Sequence, residues 1–434
     1  MSEALQRRID TELSRLTFID PHTHIDPKAP AARSLSDLLG YHYYTELVHS
    51  AGISREKIEG IGLSDVERMA TIVEGLAMLT NTVQYSWLME IARGLFGFEH
   101  DTLGPTTWKS LADAVSKATA EPHWSDTVLA KSRIESVFLT NDFDDPLEGF
   151  DTARYVPCLR VDELVFHLAR PEVRSRLGSV SGIEPVSRDS VHRAIEERFE
   201  FFLKKGARAA AISLPPDFRP RRVPKEEARG AMNRMLHEGN DVDHSTRSIV
   251  AADLFWKIVE CCQSHALPMD LMIGVRRGVY AAGVHQGQDL FDGRLSLADY
   301  AELFNAFPDV LFPISVLSQP LNHELVSFAW IFPNVLPFGH WWYSNTPSSI
   351  ERDLEQRIEA VPRTKLLGYY SDMYKLEFGY PKFAMYRRIL ARTLAKRYVV
   401  EQHWTEEAAV DLGTDLLKRN TERVFYAKKL DASS

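Results

Sequence analysis

Short apolar runs rich in β-branched or aromatic residues recur along the chain, and longer stretches with apolar positions at helical spacing separate them. That alternation predicts a parallel sheet wrapped by helices. Eight runs carry the strand pattern: residues 16–20, 134–140, 155–160, 209–214, 268–275, 311–315, 335–339 and 366–372. Several end on a polar or ionisable residue, including Asp20, Arg160 and Asp372. Barrel enzymes place their chemistry at the C-terminal edge of the strands, so the count and the polar ends together predict an α/β fold of the (β/α)8 barrel (TIM barrel) kind rather than a doubly wound sheet.

The runs are unevenly spaced. Residues 34–131, between the first and second run, are mostly helical in pattern and far longer than a simple βα connection needs, so they read as a helical insertion after strand 1. The insertion sits within one barrel domain spanning residues 1–434. Residues 215–248 are polar, charged and proline-containing, which predicts a surface loop with a short helix folded over the barrel mouth. Residues 386–427 return to helical periodicity, and the final DASS is expected to fray.

A hydrophobic fraction of 44% and a charged fraction of 26% suit a globular chain with a sizeable core, not a disordered one. Lys+Arg 51 against Asp+Glu 60 leaves a net charge of −9, which argues against nucleic-acid or anionic-membrane surfaces while allowing a local cationic pocket. With three cysteines, Cys158, Cys261 and Cys262, a disulfide framework is not expected. The first twenty residues mix charge signs without a signal-peptide pattern, and no apolar stretch approaches the roughly 18 residues of a membrane span. The cytoplasm is the expected location.

The strongest local feature is Phe18-Ile-Asp-Pro-His22-Thr-His24. In an extended chain, residues two apart share a face, so His22 and His24 can converge as half of a divalent-metal site. With 15 histidines in 434 residues, about 0.5 such pairs are expected by chance. Its place at the end of the first strand therefore carries the reading. Asp372, closing the last run, is the natural third ligand and a group able to accept a proton; a helix cap or a salt bridge would use the same residue type.

At this point a family becomes recognisable. DPHTHIDPKAPAARSLSDLLGYHYYTELVHSAGI resembles the N-terminal signature of the uronate isomerases, amidohydrolase-type barrels in which a His-Tyr pair, here His42-Tyr43, follows the His-x-His. NTVQYSWLMEIARGLFGFE is similar to the family's helical insertion, and SVFLTNDFDDPLEGF to its second strand and the segment after it. YVPCLRVD matches a third-strand Arg-x-Asp, FGHWWYSNTPSSIERDLEQ the strand-seven block, and LGYYSDMYKLEFGYPKFAMYRRIL the strand-eight block with its helix. The blocks run in order over almost the whole chain.

The resemblance implies an intramolecular oxidoreductase, an aldose–ketose isomerase acting on a hexuronate, such as D-glucuronate to D-fructuronate. It implies His22, His24 and Asp372 on a divalent metal, zinc or else manganese, with Asp372, His42 and Tyr43 in proton transfer. Arg160 and Arg277 would hold the substrate carboxylate. Bidentate guanidinium binding suits that role, although Asp162 offers Arg160 a rim salt bridge instead. Trp341, Tyr374 and His340 are further substrate contacts on this reading, with rim packing as the alternative for the aromatic run. The partner implied is a small sugar acid, and self-association is common among barrels.

Three positions depart from the family pattern. Tyr374 stands where the family's Thr-Asp-Ser-Arg places a substrate-facing arginine, Met272 replaces the histidine of Leu-His-Ile-Gly, and Ala211-Ile212-Ser213-Leu214 lacks the histidine of Ser-Asp-His-Gly. Methionine is neither an acid–base group nor an ordinary zinc ligand. His285, on the loop after strand five, is a candidate replacement. A metal-dependent hydrolase or lyase acting on a carboxylated sugar derivative is the runner-up reading, and a catalytically silent sugar-acid binder is the third.

Overall fold

A computed structural model describes residues 2–426, so the expected frayed DASS end lies outside the described residues. Seven parallel strands form the barrel: β1 (Phe18–Asp20), β2 (Ile134–Phe138), β3 (Cys158–Arg160), β4 (Ala209–Leu214), β5 (Met269–Ile273), β6 (Phe312–Val316) and β7 (Val335–Pro337). Short paired segments at Asn141–Asp142 and Tyr155–Val156 extend β2 and β3. They let the ladder pass Pro157, which has no N–H to donate. Every pairing in the barrel joins chain neighbours, as successive βα units require.

The eighth segment is a correction to the expected strand over residues 366–372. Only Leu367 makes a bridge, to Phe338. Beyond it the donors turn elsewhere: Gly368 N–H to Leu416 O at 3.0 Å and Ser371 N–H to a carboxylate oxygen of Asp20 at 3.0 Å. Asp372 then adopts a left-handed φ of 54°. The barrel still closes, because Asp372 N–H donates to His22 O at 3.2 Å and His24 N–H to Met373 O at 2.8 Å.

Strand alternation divides the core. Ala209 and Ala211 face the barrel interior with Ile19, Phe138, Met272 and Leu336, while Ala210, Ile212 and Leu214 face the helices. Between β1 and β2 the chain forms seven α-helices, from Leu35–Leu39 to Trp124–Ser132. The connection at 215–248 is not a lid loop: Lys225–Glu238 is a helix of 14 residues packed on His244–His265. Its buried Ala228, Ala231, Met232 and Met235 give the 3–4 spacing of an apolar stripe that its charged residues outnumber.

After β5 the chain makes a small antiparallel hairpin, Val275–Arg276 against Leu290–Phe291. Its tip meets the helical insertion, where Tyr280 stacks on His49 at 5.8 Å and His285 N–H donates to Glu59 Oε1 at 2.6 Å.

Gly339, just past β7, has φ 47°, and a side chain there would overlap the Tyr370 ring, itself fully buried. Gly339→Ala combines left-handed strain with overpacking and should lower stability by about 2–4 kcal/mol. Urea unfolding checks this; a midpoint equal to that of the parent would show that the ring moves aside freely.

Candidate active site

His22 and His24 follow β1 in extended chain, with ring centroids 5.4 Å apart and planes at 90°. His22 Nδ1 lies 3.1 Å from a carboxylate oxygen of Asp270 in β5. The carboxylate accepts, so the proton sits on Nδ1 and Nε2 keeps its lone pair. His24 Nδ1 lies 2.9 Å from Thr140 Oγ1, which donates its own proton to Thr23 O at 3.1 Å and therefore accepts from Nδ1–H. Both free Nε2 atoms face Asp372 Oδ1, at 3.8 Å for His22 and 3.3 Å for His24.

Ligand atoms of His22, His24 and Asp372 all lie within 4.8 Å of one another. His22 Nε2 and Asp372 Oδ1 are buried with no hydrogen-bond partner among the described residues. Leaving such groups unsatisfied costs roughly 1–3 kcal/mol each, a penalty that a shared cation removes. Burial opposes a charged His22, yet the hydrogen bond to Asp270 and the Asp372 and Asp20 carboxylates outweigh it and raise its pKa, so the enclosure favours positive charge there. Burial likewise works against ionised Asp372, but the nearby His24 and His22 rings and the Lys382 ammonium outweigh it, and its pKa ends below the usual carboxylate range. Burial lowers His24, keeping it neutral. A neutral imidazole, an ionised carboxylate and orphaned donor atoms suit a divalent cation.

A cavity of about 180 Å³ opens in front of this cluster. His24 and Asp372 form its floor, and His42 and Tyr43 reach it from the start of helix His42–Ser50. Arg160 and Arg277 line one side, with Trp341 and Tyr374 on the wall. Arg160 gives only its Nε–H to Asp162, at 3.2 Å, and Arg277 one terminal N–H to Asp289, at 2.6 Å, so each keeps donors for a ligand. Burial drives His42 down to about 3, fixing it as a neutral ring, and the buried Tyr43 hydroxyl has no partner among the described residues. Tyr374 stacks on His24 at 4.8 Å.

The structure does not bring His340 into the cavity wall. It is 1% exposed, behind the wall, 3.8 Å from Asp353 and near Tyr386. A turn at Gly339 and Trp342, both at positive φ, presents the tryptophans instead. His285 lines a neighbouring surface cavity rather than this one. Sequence reasoning missed Asp270, Gln286 and Asp289. Asp270 had a signal, a lone carboxylate in the apolar run Met269–Ile273, two residues from Met272 and on its face; the other two sit on a loop without periodicity.

The family described as glucuronate isomerase matches residues 4–429. The chain is 23% identical to a uronate isomerase of Corynebacterium efficiens, covering 97% of this chain and 95% of that one. Its fold superposes on a uronate isomerase from Thermotoga maritima with a TM-score of 0.88 at 20% identity, covering 98% of this chain and 97% of that one. A glucuronate isomerase from Caulobacter crescentus gives 0.88 at 19% identity, over 98% and 94% of the two chains.

Glu46, on the helix that supplies His42 and Tyr43, has a buried Oε1 with no partner among the described residues. Burial and then Asp289 push its carboxyl up to about 8. Because the folded value lies above the ordinary 4.5, its contribution to stability is complete below that pH and is lost as the pH rises through 8. Glu46→Gln should remove this part of the pH dependence, so urea midpoints compared at pH 5 and above pH 8 should fall less in the variant. Equal declines in both proteins would show that Glu46 does not titrate in this way.

Proposed function

The chain belongs to the glucuronate isomerase family, and from that membership we propose that it interconverts the aldose and ketose forms of a hexuronate, D-glucuronate with D-fructuronate or a close analogue. The observation that carries the reading is the full-length family match together with a small cavity in which a His–His–Asp cluster faces two arginines with free donors. The hydrolase or lyase alternative is not favoured by a match of this extent.

Isomerisation of the open-chain sugar moves one proton from C2 to C1, while the C2 hydroxyl gives up its proton and the C1 carbonyl oxygen gains one. Arg160 and Arg277 bind the carboxylate at C6 and so fix the far end of the chain, leaving the two reacting carbons toward Asp372. Asp372, ionised in its enclosure, takes the proton from C2 and returns it to C1. His42 is neutral and Tyr43 holds an uncommitted hydroxyl, so the pair can meet the sugar hydroxyls and relay the oxygen-bound proton. Trp341 and Tyr374 shield the proton transfers from water.

His22, His24 and Asp372 would hold a divalent metal, zinc for preference and manganese as the second choice, which when bound stabilises negative charge developing on the C1 and C2 oxygens. Among the described residues no helix is long and apolar enough to cross a membrane. The buried free cysteines Cys158, Cys261 and Cys262 suit the cytoplasm.

A proton NMR time course of zinc-loaded protein with D-glucuronate and with D-galacturonate tests the reading. Ketouronate signals should grow with at least one of them, and Asp372→Asn should slow the reaction about 100-fold or more. Metal-loaded protein that leaves both sugars unchanged would rule out these substrates and favour the hydrolase or lyase reading.

A further inference from the structure

Lys382 is a fully buried lysine behind the active-site wall, in helix Gly379–Thr393. Its Nζ donates to Ser371 O at 2.8 Å and to the Tyr41 hydroxyl at 3.1 Å. The ammonium is caged by three aromatic faces, Trp87 at 4.8 Å and Tyr41 and Tyr43 each at 5.3 Å. Enclosing a cation is expensive, and aromatic faces with two carbonyl- or hydroxyl-type acceptors offset only part of that cost. A methionine would fill the same space without it.

The hydrogen bonds explain what the charge holds. Tyr41 spends its own proton on Asp372 O, at 3.1 Å, so its oxygen can only accept from Lys382. Ser371 O goes directly to Lys382, and Ser371 N–H goes to Asp20. Two successive carbonyls, of Ser371 and Asp372, are thus gathered on one ammonium, one directly and one through a tyrosine. Between them the chain makes the left-handed turn at Asp372, a conformation in which the Cβ of any residue but glycine crowds its own backbone. If Asp372 relaxed to an ordinary φ, its Cα–Cβ bond would swing and take the carboxylate away from the two Nε2 atoms it faces.

We propose that Lys382, acting through Tyr41 and Ser371, is a positioning residue that locks the left-handed turn at Asp372 and thereby aims the carboxylate at His22 and His24. The inference rests on the assignment of those three residues as the cation-binding and proton-transfer group. Lys382 does not reach the cavity and touches no reacting atom.

Three variants of the full chain test it: Lys382→Met, Lys382→Arg and Tyr41→Phe. Each is read by its crystal structure, by calorimetric titration with zinc alone, and by kcat and KM on D-glucuronate. Lys382→Met should move Asp372 out of the left-handed region and weaken zinc binding about 10–100-fold. It should also cut kcat about tenfold or more while KM, set by the distant arginines, changes by less than about twofold. Lys382→Arg, which keeps the charge and the donors, should restore zinc affinity and kcat to near the parent values. Tyr41→Phe, which removes only the bridging hydroxyl, should fall between.

A folded Lys382→Met protein with Asp372 still left-handed and zinc affinity unchanged overturns the proposal. If Lys382→Met does not fold, Tyr41→Phe decides by the same two readouts. Should the parent leave glucuronate untouched, the function proposed above fails on its own, while the crystal and zinc measurements still decide the role of Lys382.

Discussion

A nearly buried, ionised carboxylate at the end of an apolar barrel has to be compensated where it stands, since little of it meets water and the interior offers few dipoles. Asp372 meets that requirement with partners from widely separated parts of the chain. The imidazoles come from the end of β1, their anchoring carboxylate Asp270 from β5, and the ammonium from the helix after the eighth segment. None of these can act until the barrel is closed. Closure itself runs through the same residues, because the backbone bonds from Asp372 to His22 and from His24 to Met373 join the eighth segment to the first. Forming the site and shutting the cylinder are one physical event.

Much of this was legible in the sequence. Seven of the eight apolar runs are hydrogen-bonded strands; His24, Asp372, His42, Tyr43, Arg160, Arg277, Trp341 and Tyr374 surround one cavity, and His22 joins His24 and Asp372 in one cluster. Periodicity finds such elements because burial on one face forces it. It failed where side chains replace backbone partners. The segment at 366–372 is extended and apolar, but the N–H of Ser371 goes to Asp20 and that of Gly368 to Leu416 in a C-terminal helix, which no local pattern encodes. At 215–248 charge outweighed a real apolar stripe. His340 was misplaced because the direction of a residue after a strand depends on the positive φ values of Gly339 and Trp342, which sequence alone does not reveal.

The departures from the family pattern gain a structural setting. Met272 lies 3% exposed among the inward-facing residues of the barrel, and Asp270, on the same face of β5, provides that strand's polar contact with the cluster through His22. Tyr374, at the position of a family arginine, stacks on His24 with its plane inclined by 29° and so trades a charge for a ring beside the carboxylate. The remaining cavity arginines are each tied to an acid, which holds them in place while leaving donors free.

The hairpin after β5 and the helical insertion meet across the mouth through Tyr280 on His49 and His285 on Glu59, and between them they supply Arg277, His42 and Tyr43. The His–His–Asp cluster, by contrast, is rooted in the barrel itself. Two portions of the chain with different mutational freedom thus share one site. Loops can drift, lengthen or be exchanged without disturbing the barrel ladder, so recognition of the sugar can diversify over generations while the reactive end stays fixed. The barrel itself tolerates wide divergence in sequence, since the fold superposes on the Thermotoga maritima structure with one residue in five shared.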